Sequence, residues 1–151
     1  MKKILIACTV LLIVVILTTL VFDWGRREIP IPDMNQVATS TIANNTPIIV
    51  SYPIDNQTVT SPIHINGTVQ GNWFFEGTFP VELIDSNGDV IGSTTATTDG
   101  DWATTSDVYF SADISYRNAT TTDRAFLLLE NDNPSGDPAH LEQKFIPLIL
   151  K

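Results

Sequence analysis

The chain has 151 residues, 43 % of them hydrophobic, with 17 Asp and Glu against eight Lys and Arg and a net charge of −9. From residue 28 onward sixteen acidic side chains face four basic ones, a net of −12. A surface this acidic repels nucleic-acid phosphate and anionic lipid, which excludes DNA, RNA and polybasic membrane-surface roles. The single cysteine, Cys8, excludes a disulfide framework within the chain.

Residues 1–3 form a short basic N-terminus, and residues 4–22 are nineteen in a row without a charge. As a helix that run would be about 28 Å long, close to the hydrocarbon thickness of a bilayer. A single transmembrane anchor is therefore expected over 4–24, with Trp24 at the interface. No Ala-x-Ala cleavage pattern follows Val21, and the lipobox-like Leu5-Ile6-Ala7-Cys8 comes early for a lipoprotein signal. Cleavage and lipidation of Cys8 stay open as alternatives. The expected arrangement is N-terminus in and C-terminal domain extracytoplasmic at the cell membrane. Residues 25–47, with prolines at 30, 32 and 47 among Thr, Ser and Asn, read as a flexible linker.

Residues 48–151 read as one all-β domain. Ile48-Ile49-Val50-Ser51-Tyr52 is β-rich and stops at Pro53, and Asp55-Asn56 makes a turn. Ile63, Ile65 and Val69 alternate with His64, Asn66, Thr68 and Gln70, the pattern of a half-buried strand. The stretch 71–79, Gly-Asn-Trp-Phe-Phe-Glu-Gly-Thr-Phe, then gathers four of the thirteen aromatics. Read as extended, it puts Trp73 and Phe75 on the core face, with Phe74 and Glu76 outward. Val81 and Leu83 share a face in the next strand, Asn87-Gly88 signals a tight hairpin, and 90–97 is the β-branched return. Thr98-Asp99-Gly100-Asp101 turns again before Val108, Phe110, Ala112, Ile114 and Tyr116 form one inward stripe. Residues 117–123 are a polar loop, 125–130 are apolar on both parities as in a central strand, 131–138 form a long turn, and 141–150 close the domain. Pro147 places that last strand at an edge.

About seven strands in a hundred residues, without an amphipathic helix, predict a Greek-key sandwich. Trp73, Phe75, Phe110 and Phe126 are its expected core, joined by Trp102. Phe74, Glu76 and Trp102 are candidate partner-binding residues, since interface centres favour aromatics. For Glu76 the plain alternative is a structural carboxylate accepting from backbone amides or a nearby Trp indole.

Other chemistry is thin. Asp85, Asn87 and Asp89 begin like a calcium loop but lack its closing glutamate. Two further acidic groups, Asp99 with Asp101 and Asp107, and Glu130 with Asp132, Asn133 and Asp137, would hold Ca²⁺ only if their loops converge. His64 and His140 lie far apart in sequence with no Cys partner, too few ligands for zinc. Ser135 sits in Asn-Pro-Ser-Gly rather than in a nucleophile elbow. No catalytic, cofactor or metal residues are assigned.

Trp73-Phe74-Phe75-Glu76-Gly77, then Phe79-Pro80-Val81, Asp85-x-Asn87-Gly88, Asp99-Gly100-Asp101-Trp102, Phe110-x-Ala112 and Leu128-x-Glu130 with Asn133-Pro134-Ser135-Gly136 together resemble the immunoglobulin-like domain of bacterial spore germination. The resemblance covers about residues 48–148. It implies an immunoglobulin-like sandwich that is extracytoplasmic, non-enzymatic and active in adhesion or assembly at the cell envelope, with an envelope protein or cell-wall polymer as partner. A carbohydrate-binding module for cell-wall glycan is the narrower alternative. An envelope hydrolase would need two close carboxylates in a pocket.

Overall fold

A computed structural model describes residues 48–117 and 124–151. The N-terminus 1–3, the expected anchor 4–24 and the linker 25–47 lie outside the described residues, as does most of the polar loop at 117–123. Among the described residues no helix is long and apolar enough to cross a membrane.

Eight strands form in order: β1 (Ile49–Tyr52), β2 (Gln57–Val59), β3 (Ile63–Gln70), β4 (Thr78–Asp85), β5 (Val90–Thr97), β6 (Asp107–Ile114), β7 (Arg124–Glu130) and β8 (Gln143–Leu150). Two single 3₁₀ turns, Gly71–Trp73 and Pro138–His140, are the only helical pieces among the described residues. Hydrogen bonding links the strands in the order β1-β3-β6-β5-β4-β7-β8-β2. The link between β5 and β6 is one pair, Thr97 with Ser111. The ribbon folds over there, so that β1-β3-β6 makes one layer and β5-β4-β7-β8-β2 the other. The chain passes between layers after β1, after β2, after β3, after β5 and after β6, the connectivity of a Greek-key sandwich whose first strand is split between the two layers.

Alternation drives the packing. In β3 Ile63, Ile65 and Val69 are buried, and in β6 Val108, Phe110, Ala112 and Ile114 are buried, each strand turning its odd or even set inward. They meet Val81 and Leu83 of β4, Leu127 and Leu129 of β7, and Ile146 and Leu148 of β8. Phe79 of β4 and Phe110 of β6 touch edge to face with centroids 5.1 Å apart, joining the two layers. Gly67 leaves room for the Phe110 ring beside β3, because a Cβ there would strike both the Ile49 carbonyl and that ring.

Phe126 is 2 % exposed, yet it is not part of this inter-layer core. It lies on the opposite face of β7, between Ile84 of β4 and Pro147 of β8 in register, and its ring meets Phe145 edge to face at 6.4 Å. The both-parity apolar run of β7 feeds two clusters, one on each side of the sheet.

The expected count of seven strands missed β2. Three residues carry too little alternation to show, and β2 exists through parallel pairing with Leu148, Ile149 and Leu150 at the end of β8. The Tyr116 hydroxyl fastens that corner, 3.1 Å from the Val59 carbonyl and 3.2 Å from that of Lys151. Pro147 lies on β8, which is flanked by β7 and by β2, so it is not at an edge. β2 pairs only with Leu148–Leu150, and the Pro147 carbonyl accepts from Asn56 N at 2.6 Å just before it.

Candidate binding surface at the loop end

The strand directions bring three connections to one end of the sandwich: 71–77 between β3 and β4, 98–106 between β5 and β6, and 131–142 between β7 and β8. Phe74, Glu76 and Trp102 all belong to this end. The hairpin turn 86–89 lies at the other end.

At Gly71 the chain leaves β3 and winds into the 3₁₀ turn, with Phe74 N donating to the Gly71 carbonyl at 3.1 Å. Only glycine fits there, since a Cβ would collide with the carbonyl oxygens of Trp102 and Thr104. Trp73 is buried, and its indole Nε1 donates to Glu142 Oε2 at 2.6 Å. Its carbonyl accepts from Asp132 N at 2.9 Å. Thus the third connection grips the first through one side chain and one backbone group.

Two residues later the chain reverses. Phe75 and Thr78 exchange backbone hydrogen bonds of 3.0 and 3.1 Å around Glu76 (φ 53°) and Gly77 (φ 78°). Positive φ at both central positions defines the two-residue hairpin turn whose twist suits β-strands. Thr98 N donates to the Gly77 carbonyl at 3.2 Å, and the Trp102 indole lies across Gly77.

This local winding corrects the expected facing of the aromatic stretch. Phe74, expected outward, is 5 % exposed and packs edge to face on Phe79 at 5.2 Å. Phe75, expected in the core, is 45 % exposed. Side chains alternate only along an extended backbone, and a 3₁₀ turn followed by a tight reversal breaks the period of two. Trp73, Phe74 and Phe110 consequently each meet Phe79 edge to face. Glu76 is an exposed turn residue, and the acceptor for the indole is Glu142. Trp102 is half-buried at the rim of the core rather than at its centre. The exposed tip of this end is therefore Phe75, Glu76 and the outer part of Trp102.

The connection 131–142 is ordered by its own side chains. Asn131 donates through Nδ2 to the His140 carbonyl at 2.9 Å and accepts from Glu142 N at 2.7 Å. Ser135 Oγ donates to Asn133 Oδ1 at 2.6 Å and accepts from Asp137 N at 3.2 Å, which accounts for it as a turn residue. At the opposite end Asp85 Oδ1 accepts from the backbone N–H groups of Asn87 and Asp89 at 2.8 and 3.0 Å, so that carboxylate closes a turn. Among the described residues no three His, Cys, Asp or Glu side chains converge to hold a metal ion. His64 instead faces Asp113 across β3 and β6, 2.8 Å away on the surface.

Two clefts flank the connection 98–106. One, of about 330 Å³, has Phe74, Asn72 and Trp102 in its walls. The other, of about 450 Å³, is lined by Thr97, Asp99, Asp101, Asp107, Tyr109 and Ser111, among others. Tyr109 was not among the candidates from sequence. Its position opposite in parity to the inward stripe of β6 was the available signal, and it is 58 % exposed.

A two-layer sandwich whose first strand is split between the layers, β1 on one and β2 parallel to the last strand on the other, with loops gathered at one end, is an immunoglobulin-like domain. The family model of the immunoglobulin-like domain of bacterial spore germination matches residues 47–137, and the chain belongs to that family. No curated protein matches the chain. No solved structure matches it either.

Proposed function

We propose that this protein is a non-catalytic binding or assembly module of the bacterial cell envelope, anchored in the membrane through residues 4–24 and carrying its immunoglobulin-like domain outside. The observation that carries the reading is the tip at the loop end, where exposed Phe75 and Glu76 stand on a tight turn whose Gly77 lies against half-buried Trp102. Aromatic anchors held by a scaffold are what protein interfaces concentrate at their centres. Asp99 and Asp101 on the adjoining connection make a basic patch on an envelope protein the complementary partner. Family membership supports the non-catalytic part, as do Ser135 and Glu76, both accounted for by turn geometry.

The test is site-specific photocrosslinking of the full chain in its native membrane, with the probe at Phe75 or, at the opposite end, at Asn87. A discrete adduct from position 75 and none from 87 is expected. Equal labelling from both, or none from 75, would overturn the reading. A cell-wall glycan ligand is the second reading, favoured by the cleft beside Tyr109.

A further inference from the structure

We infer that the cleft between the 98–106 connection and β6 binds a glycan carrying free amino groups, an oligosaccharide of de-N-acetylated amino sugars. Its volume, about 450 Å³, is in the range of small-ligand sites and suits one or two sugar rings. Three features of its wall select the chemistry.

The first is Tyr109. The outer face of β3 and β6 is polar, with Asn66, Thr68 and Gln70 of β3 opposite Ser111, Tyr109 and Asp107 of β6 in register. Tyr109 alone in that block offers an aromatic ring, and it is 58 % exposed. An open aromatic face beside hydrogen-bonding groups is a platform for the C–H face of a pyranose. The second is the run of hydroxyls at Thr97, Ser106 and Ser111, which donate to and accept from sugar hydroxyls. The third is charge: Asp99, Asp101 and Asp107 line the cleft and no Lys or Arg does. Only Asp101 spends an oxygen on the loop itself, accepting from Ala103 N at 3.1 Å. A neutral N-acetylated sugar would leave these carboxylates without a counter-charge, whereas an ammonium group would supply it through charge-assisted hydrogen bonds. A basic peptide would satisfy the carboxylates and could set a cationic side chain on the ring, but it has no hydroxyls for the Thr97, Ser106 and Ser111 groups, and pentalysine is therefore the competing probe.

This inference rests on the glycan reading; it shares Asp99 and Asp101 with the charge argument for the tip, but not Phe75, Glu76 or Trp102. The experiment is titration calorimetry on the detergent-solubilised full chain, in mildly acidic buffer so that the sugar amine keeps its proton, with a β-1,4 glucosamine tetramer, its fully N-acetylated counterpart and pentalysine as probes. Binding of the glucosamine tetramer at least about ten-fold tighter than either other probe is expected. Tyr109→Ala and Asp107→Asn should each weaken it by about five-fold or more, while Tyr109→Phe retains it and the distant Val90→Ser leaves it unchanged. Thermal melts of each variant, expected within a few degrees of the parent for such exposed positions, separate lost binding from lost fold. Equal binding of the N-acetylated tetramer, pentalysine binding as tight as the sugar, or no heat from the glucosamine tetramer would each overturn the inference. Crosslinking from Phe75 would stand or fall separately.

Discussion

The two reversals that bracket β4 solve the same problem with different materials. At its far end the turn through Asn87-Gly88 is held by its own residues, since the Asp85 carboxylate accepts two backbone N–H groups and Gly88 N donates to the Asp85 carbonyl at 3.1 Å. At its near end the turn through Glu76-Gly77 is closed by the Phe75–Thr78 backbone pair and by the Thr78 hydroxyl, which donates to the Phe75 carbonyl at 3.2 Å, but no carboxylate caps its N–H groups. Glu76 sits in the left-handed region, and what surrounds the turn is tertiary: the Trp102 indole over Gly77, the Thr98 N–H on its carbonyl, and the Trp73 turn locked to Glu142. A turn closed by local chemistry forms wherever its sequence is written. One that other connections also pack against is fixed in place by the finished fold, and that one carries the proposed tip.

The largest effect should come from removing the tertiary lock. Trp73→Ala deletes a fully buried indole and the hydrogen bond to Glu142, and urea denaturation should show a loss of about 3 to 5 kcal/mol. Gly71→Ala approaches it, at about 3 kcal/mol, because the new Cβ meets two backbone oxygens that no rotamer change can move. Trp73→Phe keeps a buried ring and leaves Glu142 Oε2 without its donor, for about 1 to 2 kcal/mol. A double-mutant cycle with Glu142→Ala, which removes the acceptor altogether, should return a coupling close to 1 kcal/mol. A coupling of zero would mean that the two connections dock through the rings and backbone alone.

The same contrast explains what could be read in advance. Strands β3 and β6 announced themselves because Ile63, Ile65 and Val69, and Val108, Phe110, Ala112 and Ile114, each lie on one face of a sheet whose other face is polar. The Asn87-Gly88 turn was legible for a similar reason, its cause lying within five residues. The facing of Phe74 and Phe75 was not, because Gly71 forces a 3₁₀ turn only in the presence of Trp102 and Thr104, some thirty residues away in sequence. Glu142 gave no signal at all: one carboxylate before a strand looks like any other until Trp73 reaches it. β2 likewise depends on β8 for its existence. The candidate site was thus legible as a region, 71–79 with Trp102, but not as a surface, and the exchange of Phe74 for Phe75 moved its exposed aromatic by one residue.

At the locally closed turn the expected cost is smaller. Asp85→Ala removes the acceptor for two backbone N–H groups that remain within reach of water, so a thermal melt should report about 1 kcal/mol and an unchanged loop end. Crosslinking from position 75 should be indifferent to this change, which makes Asp85→Ala the control for stability loss without disturbance of the tip.

Glu76 gives the smallest shift and the sharpest discrimination. A non-glycine residue at φ 53° pays a conformational cost that Asn, which tolerates the left-handed region, largely avoids. Glu76→Asn should therefore stabilise the domain by about 0.5 kcal/mol, a gain that leaves the unfolded chain without the added freedom glycine would bring. The same change deletes the carboxylate between Phe75 and Trp102. If that carboxylate meets a basic partner, the variant will melt higher and crosslink less, the opposite movement of stability and capture that a functional residue in a strained position produces. Should capture from position 75 stay unchanged while the melt rises, Glu76 has no part in recognition, and the contact is made by Phe75 and Trp102 alone.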